Sequence, residues 1–445
     1  MIQLTVKDPG AKFGLATPLL ALNSRANLTV RLEQKIGGLT LFSMFPEGAS
    51  KGDGEKKSIG AKEALKEMQV FARQVENFPL SKSQNEFDYL LRSLSCEAST
   101  TFSILFAQKQ AIAYYGTDLW RVFNAGQDKA GLPVRMLNLL NAGKHADTGF
   151  EVQESGIMPV GAKSMGDAIM MGANVLHTAK KLLMRENLGA NRGDEGGFAN
   201  PFKSVDATCV FLLDAIALAG YQPGKDIFLF FDPASSEYYG KGVHDKAKDQ
   251  EDFTYHLEDK RLTSLENALF WKAKVEKYPI ASLEDGHAQH DREGWQKATK
   301  LIGGMVQIVG DDRFVSDPGR VRKGIDGNEA NSVLIKVNQI GDISQSIESM
   351  DAAHEAGWTS VVSHRSGETE DIAIADLSTH PKAGQLKCGP SGSDRTGKDN
   401  RLWGIEQQHP EETYYRGFGA LSPGVARSLQ ERFRYFHWEP TRTLP

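Results

Sequence analysis

Six short apolar runs, each ending in a residue that can carry charge, limit what this chain can fold into more than any other feature. They are IFLFF before Asp232, PIASL before Glu284, VQIVG before Asp311, SVLI before Lys336, TSVVS before His364 and, more weakly, GQL before Lys387. Successive end residues are 52, 27, 25, 28 and 23 positions apart. An interval of roughly 23 to 28 residues holds one strand, one helix and two loops, the repeat of a β/α barrel. The 52-residue interval fits with one insertion, and the very polar stretch 240–263 supplies it. Between Lys336 and His364 the outer helix is readable directly. Asp342 caps it, Ile343, Ile347, Met350 and Ala353 form its apolar stripe, and Gly357 ends it. His354 falls off that stripe and is expected in solvent.

Ahead of these runs the texture differs. Residues 28–33 alternate Leu28, Val30 and Leu32 with Thr29, Arg31 and Glu33, and Gly37-Gly38 leads into a second run at 39–45, so a hairpin is expected. Ala64, Leu65, Met68, Phe71, Ala72 and Val75 share one helical face, with Pro79 as the stop. The expected fold is α/β: a (β/α) barrel over 133–445, ending in a tail, preceded by a smaller α+β unit over 1–132. A chain of 445 residues is long enough for both.

Composition narrows the function classes. Lys and Arg number 52 against 57 Asp and Glu, and no like-charge block offers a footprint for nucleic acid or an anionic membrane. Small-molecule chemistry is the better expectation. Cys96, Cys209 and Cys388 show no CxxC or zinc spacing and are expected as packing residues in a reducing compartment. The amino terminus lacks the apolar core of a signal peptide, and no apolar stretch approaches the ~18 residues of a membrane span. A cytoplasmic location is therefore expected, which leaves the Asn27-Leu28-Thr29 sequon without consequence.

Residues at the carboxyl ends of barrel strands converge on one face. Asp232, Glu284 and Asp311 would then lie side by side, and three carboxylates in one pocket call for a cation. Oxygen ligands of this kind suit Mg²⁺.

These residues sit in longer motifs: NAGKHAD, QESGIMPVGA, GDEGGFA, FDPASSEYY, YPIASLED, QIVGDD, VLIKVNQIGD and SHRSGETEDIAIADL, in that order from about residue 138 to 377. In this the chain resembles the enolase family, metal-dependent hydratases of glycolysis. The resemblance implies an enolase-type (β/α)8 barrel over 133–445, an α+β capping domain over 1–132 that carries a mobile lid loop, and a lyase that interconverts 2-phosphoglycerate and phosphoenolpyruvate. It implies Lys336 as the base, Glu195 as the general acid with Glu154 and His145 near it, and Asp232, Glu284 and Asp311 as ligands of the tightly held Mg²⁺. His364, Arg365 and Ser366 would meet the substrate phosphate, Lys387 its carboxylate, and Ser50 a second Mg²⁺ through a mobile loop. Two Mg²⁺ and a lysine would offset the dianion made when a proton leaves beside a carboxylate. On this reading Lys336 must be neutral, its pKa lowered by burial and metal charge, while Glu195 must be protonated, its pKa raised. A homodimer or larger homo-oligomer is implied as well.

The match departs from the family at the rim. The lid's usual S-G-A-S-T-G is here Glu47-Gly48-Ala49-Ser50-Lys51-Gly52, and E-D-P-F becomes Glu284-Asp285-Gly286-His287. His287 and His290 are expected at the pocket mouth or in a solvated loop. Two readings follow: an enolase of divergent lineage, or a paralogue acting on a related phospho- or phosphono-acid, as the carboxyphosphonoenolpyruvate synthase branch does. A non-catalytic scaffold is a third, against which the complete set of acid, base and carboxylates argues. The aromatic and basic tail, RFRYFHWEP, suggests only cover for a subunit edge.

Overall fold

The computed structural model describes the chain except residues 1, 6–7, 9, 23–27, 37–38, 46–59, 96, 194, 241–252, 366, 391 and 445. Glu47, Ser50, Lys51, Ser366, Cys96 and the sequon residue Asn27 therefore lie outside the described residues.

Three antiparallel strands open the fold: β1 (Thr17–Leu22), β2 (Leu28–Ile36) and β3 (Leu39–Phe45). The β2–β3 pair is the expected hairpin, in register from Ile36↔Leu39 to Val30↔Phe45. β1 carries TPLLAL, which has no alternation to announce a strand. Helix α1 (Ala61–Val75) buries Ala61, Ala64, Met68, Ala72 and Val75 against this sheet. Helix α2 (Gln84–Ser93) starts in a capping box between Ser83 and Glu86, and α3 (Ser99–Lys109) is buried almost all round. Phe87 and Phe106 stack at 4.1 Å between these last two helices.

The barrel follows. Its eight strands are β4 (Val134–Asn141), β5 (Glu154–Met158), β6 (Phe228–Asp232), β7 (Ile280–Glu284), β8 (Gln307–Gly310), β9 (Ser332–Ile335), β10 (Thr359–Ser363) and β11 (Gln385–Lys387). Pairing of β11 with β4, Lys387 opposite Met136, closes the sheet and removes its edges. Every one of the six apolar runs is a barrel strand. One departure from a regular repeat is β5, which runs antiparallel to both neighbours. The segment between β4 and β5 holds a short 3-10 turn, Gly143–His145, and no crossover helix, so the chain turns straight back. The consequence is functional: Glu154, at the amino end of β5, pairs with Asp232 at the carboxyl end of β6.

Alternation along the strands layers the interior. Met136, Met158, Phe230, Val309, Leu334 and Val361 form an apolar floor beneath the strand-end charges. Gly156 makes room there, since a Cβ on it would lie 2.5 Å from the Phe230 ring. Below that floor, Gln307 and Gln385 exchange side-chain amide bonds at 3.0 and 2.7 Å. The lower mouth is plugged by Leu421 and by Val425, Leu429 and Phe433 of the closing segment Pro423–Phe433.

The N-terminal α+β region docks on two loops of the upper mouth. Ser99 Oγ donates to Gly341 O (2.7 Å), five residues past Lys336, and Ile343 N donates to Ser103 Oγ (3.0 Å). Ser43 Oγ and Met44 N donate to the Asp371 carboxylate at 2.7 and 3.2 Å. The helix Ile343–Glu355 begins at the Asp342 cap as expected, and His354 is exposed. The tail is a strap on its own barrel: Trp438 Nε1, Thr441 N, Thr441 Oγ1 and Arg442 Nη1 all donate to the buried Asp214 carboxylate. No helix among the described residues is long and apolar enough to cross a membrane.

Candidate active site

The carboxyl ends of the strands, with the reversed end of β5, form one charged pocket. Lys387 is buried at its base, its Nζ 2.8 Å from Glu154 Oε2, Asp232 Oδ2 and Glu284 Oε1 alike. Three of the expected groups thus surround the lysine that was expected to meet a substrate carboxylate. Burial disfavours its charge, but those carboxylates outweigh the penalty and hold its pKa well above the ordinary lysine value.

Lys336 lies four strands away from Glu154 around the closed sheet. Its Nζ is 2.5 Å from Asp311 Oδ2, and Gln339 Nε2 donates to Asp311 Oδ1 at 2.7 Å. Asp285, at a left-handed backbone position (φ 38°), orients the same turn by accepting from Asp311 N (3.0 Å) and Asp312 N (2.8 Å).

On another wall, Glu195 sits between two imidazoles. His364 Nε2 is 3.0 Å from its Oε2, and His145 Nε2 is 3.7 Å from its Oε1 and 3.3 Å from Glu154 Oε1. Asn138 of β4 ties the acids together, its Nδ2 donating to Glu154 Oε2 (2.7 Å) and to Glu195 Oε2. The Glu195 loop is pressed onto the barrel at Gly389, where a Cβ would lie 1.8 Å from Glu195 O. Only glycine permits that approach.

The side chains by themselves give two pKa directions opposite to those expected with the metal bound. Burial should lower Lys336, but the adjacent Asp311 carboxylate raises it above the usual lysine value. Burial should raise Glu195, but His364, His145 and Lys387 pull it well below the usual carboxylate range. His364 is lifted to about 9 by Glu195 against the effect of burial. Hence at neutral pH the proton of this pair resides on the imidazole. By contrast Glu284 is pushed well up by burial and by Asp232, and Glu154 is raised by burial and by Glu195.

Arg365 lines the pocket, whereas His364 is committed to Glu195 beneath it. His287 is a correction: it neither reaches the mouth nor lies in solvent. It is buried under the Asp285-Gly286 corner, its Nε2 3.1 Å from Ser264 O and its ring edge-on to Tyr255 at 5.5 Å. The Tyr255 hydroxyl and Ser264 Oγ both donate to Asp291 at 2.6 and 2.5 Å, so the corner is braced from below by a closed polar network. His290 is exposed. Asn138, Gln339 and Asp285 were not singled out from the sequence, although each lies inside or beside a quoted motif. An inward position on a strand end was the available signal for Asn138.

Among the described residues, two groups of side chains bring ligand atoms close enough for one ion, His145, Glu154 and Glu195, and Asp285, Asp311 and Asp312; the expected trio Asp232, Glu284 and Asp311 is not drawn together in this way. The expected trio occupies adjacent strands β6, β7 and β8, with Lys387 drawn between two of its members. Its chemistry fits a hard dication. All donors are carboxylate oxygens, and Glu284 Oε2 is buried without a hydrogen-bond partner. A family model described as "Enolase, C-terminal TIM barrel domain" matches residues 129–423 of the chain.

Proposed function

Because the chain belongs to the enolase superfamily through its C-terminal TIM barrel domain, we propose that it is a Mg²⁺-dependent lyase interconverting 2-phosphoglycerate and phosphoenolpyruvate. The observation that supports this reading is the meeting, in one pocket, of a lysine just past β9, a Glu195–His364 pair 3.0 Å apart, and carboxylates at the ends of three adjacent strands. Proton abstraction beside a carboxylate needs a base on one wall, a proton for the departing hydroxide on another, and positive charge between them.

Asp232, Glu284 and Asp311 would hold the ion. When bound, Mg²⁺ supplies positive charge to the substrate carboxylate as the α-proton leaves. Lys336 Nζ is placed to take that proton, and it becomes a base when Asp311 is engaged elsewhere and no longer stabilises the ammonium. The hydroxide receives its proton from the His364–Glu195 pair, whose charge His145 and Asn138 share. Arg365 is the rim cation for the phosphate.

The test is enol absorbance on mixing the protein with 2-phosphoglycerate and Mg²⁺, beside Lys336→Ala. Turnover that vanishes in the variant supports the reading. Absence of turnover in protein that binds Mg²⁺ overturns it in favour of a paralogue for a related phospho- or phosphono-acid. Turnover indifferent to Lys336→Ala removes the assigned base.

A further inference from the structure

Resting on that reading, we propose that Lys144 determines specificity: it releases Glu237 and binds an anionic oxygen of the entering phosphorylated acid at the acid side of the mouth.

Lys144 lies in the turn Gly143–His145, directly before His145. The two side chains part company. His145 is buried against Glu154, while Lys144 is 53% exposed with its Nζ 2.5 Å from Glu237 Oε1. Glu237 closes the turn Ser235–Glu237 that follows β6. The pair therefore links the loops after β4 and β6, across the end of β5 that carries Glu154, on the side of the barrel away from β9 and Lys336. Both residues line the catalytic pocket.

Among the described residues, Lys387 and Lys336 are already engaged. Lys387 is buried among three carboxylates, and Lys336 is held by Asp311 for proton transfer. Lys144 alone of the three is half exposed. An ion pair this exposed adds little net stability, so exchanging the Glu237 carboxylate for a substrate oxygen costs little. The exchange also answers a charge problem. A multiply anionic substrate must pass Glu154, Glu195, Asp285 and Asp312, and a mobile lysine at the rim offsets that repulsion without occupying the reacting centre.

The experiment compares KM and kcat for 2-phosphoglycerate with Mg²⁺ in wild type, Lys144→Met, Lys144→Arg and Glu237→Gln. Lys144→Met is expected to raise KM at least tenfold while kcat falls less than threefold. Lys144→Arg should recover most of the loss, and Glu237→Gln should lower KM because the competing carboxylate is gone. Equal KM in wild type and Lys144→Met overturns the proposal and leaves the reaction assignment standing. If wild type does not turn over 2-phosphoglycerate, that assignment falls, and the proposal is read from calorimetric titration of phosphonoacetate into the Mg²⁺-loaded proteins. Binding at least tenfold weaker in Lys144→Met supports it, and equal affinities overturn it.

Discussion

The two ends of the barrel interior are built from the same strands with the same alternation, yet they obey opposite rules. At the lower end Gln307 and Gln385 satisfy each other, Gln307 also donates to Ser282 Oγ (3.1 Å), and Thr359 Oγ1 donates back to Gln307 Oε1 (2.7 Å). Every one of these groups is neutral. At the upper end the strands terminate in ionisable groups whose pKa values are driven in opposite directions, and Glu284 keeps one carboxylate oxygen unpartnered. A closed neutral network stabilises a fold, whereas crowded charges cost stability and are retained where chemistry needs them. Barrel enzymes divide their two faces in this way.

The most severe way to break the upper end is to remove the proposed base. Lys336→Ala is expected to cut turnover of 2-phosphoglycerate by about 10³-fold or more, because it removes the amine proposed to take the proton. Circular dichroism unchanged from wild type would confine the loss to chemistry. A residual rate above a tenth of wild type would move the base elsewhere.

Cation binding sharpens the contrast next. Saturating Mg²⁺ should stabilise the folded protein by about 2.7 kcal/mol at a hundredfold excess over Kd, read as a rise in Tm. In Glu284→Gln that rise should shrink below a third, since the ligand set loses a charge and the crowding that favours a dication. An undiminished rise would place the ion on another acidic group, such as Asp285, Asp311 and Asp312.

At the lower end the expected damage is to stability alone. Gln307→Leu removes four hydrogen bonds and leaves the buried Gln385 amide half satisfied. A loss of about 2–3 kcal/mol follows from desolvated groups left unpaired, measured by denaturant unfolding. kcat should stay within threefold of wild type. A large kcat loss with intact stability would deny the division between the two ends.

This division also explains how far the sequence could be read. Strands β6 to β11 were legible because each ends its apolar run in a chargeable residue, and the β2–β3 hairpin because it alternates around two glycines. The direction of β5 was not, since QESGIM looks the same whichever way it runs, and only the tight turn before it decides. Site residues on strand ends stood out, while their supports did not. Asn138, Gln339 and Asp285 matter through what they touch, and periodicity carries no contacts. The side chains' own influence on Lys336 and Glu195 was hidden for the same reason: burial was foreseeable, but Asp311 at 2.5 Å and His364 at 3.0 Å were not.

A smaller acidic pair lies between these extremes, at the joint of capping domain and barrel. Asp88 of α2 is buried, accepts from Ser344 N (3.0 Å) and Ser344 Oγ (2.6 Å), and faces Asp342, itself paired with Arg92 at 2.7 Å. Burial and then the Asp342 charge raise Asp88 to about 6, against 3.8 ordinarily. The folded chain therefore holds this proton between those two values while the unfolded chain has released it. Stability from this group is fully present below pH 3.8 and is lost as pH rises through 6. Cooling the comparison to one site, wild type minus Asp88→Asn, isolates it: the wild type should lose about 1–2 kcal/mol relative to the variant between pH 5 and pH 7.5, followed by thermal unfolding. A flat difference would mean that Arg92 and the two Ser344 donors already neutralise the pair, and that the joint, unlike the upper mouth, tolerates its charge without cost.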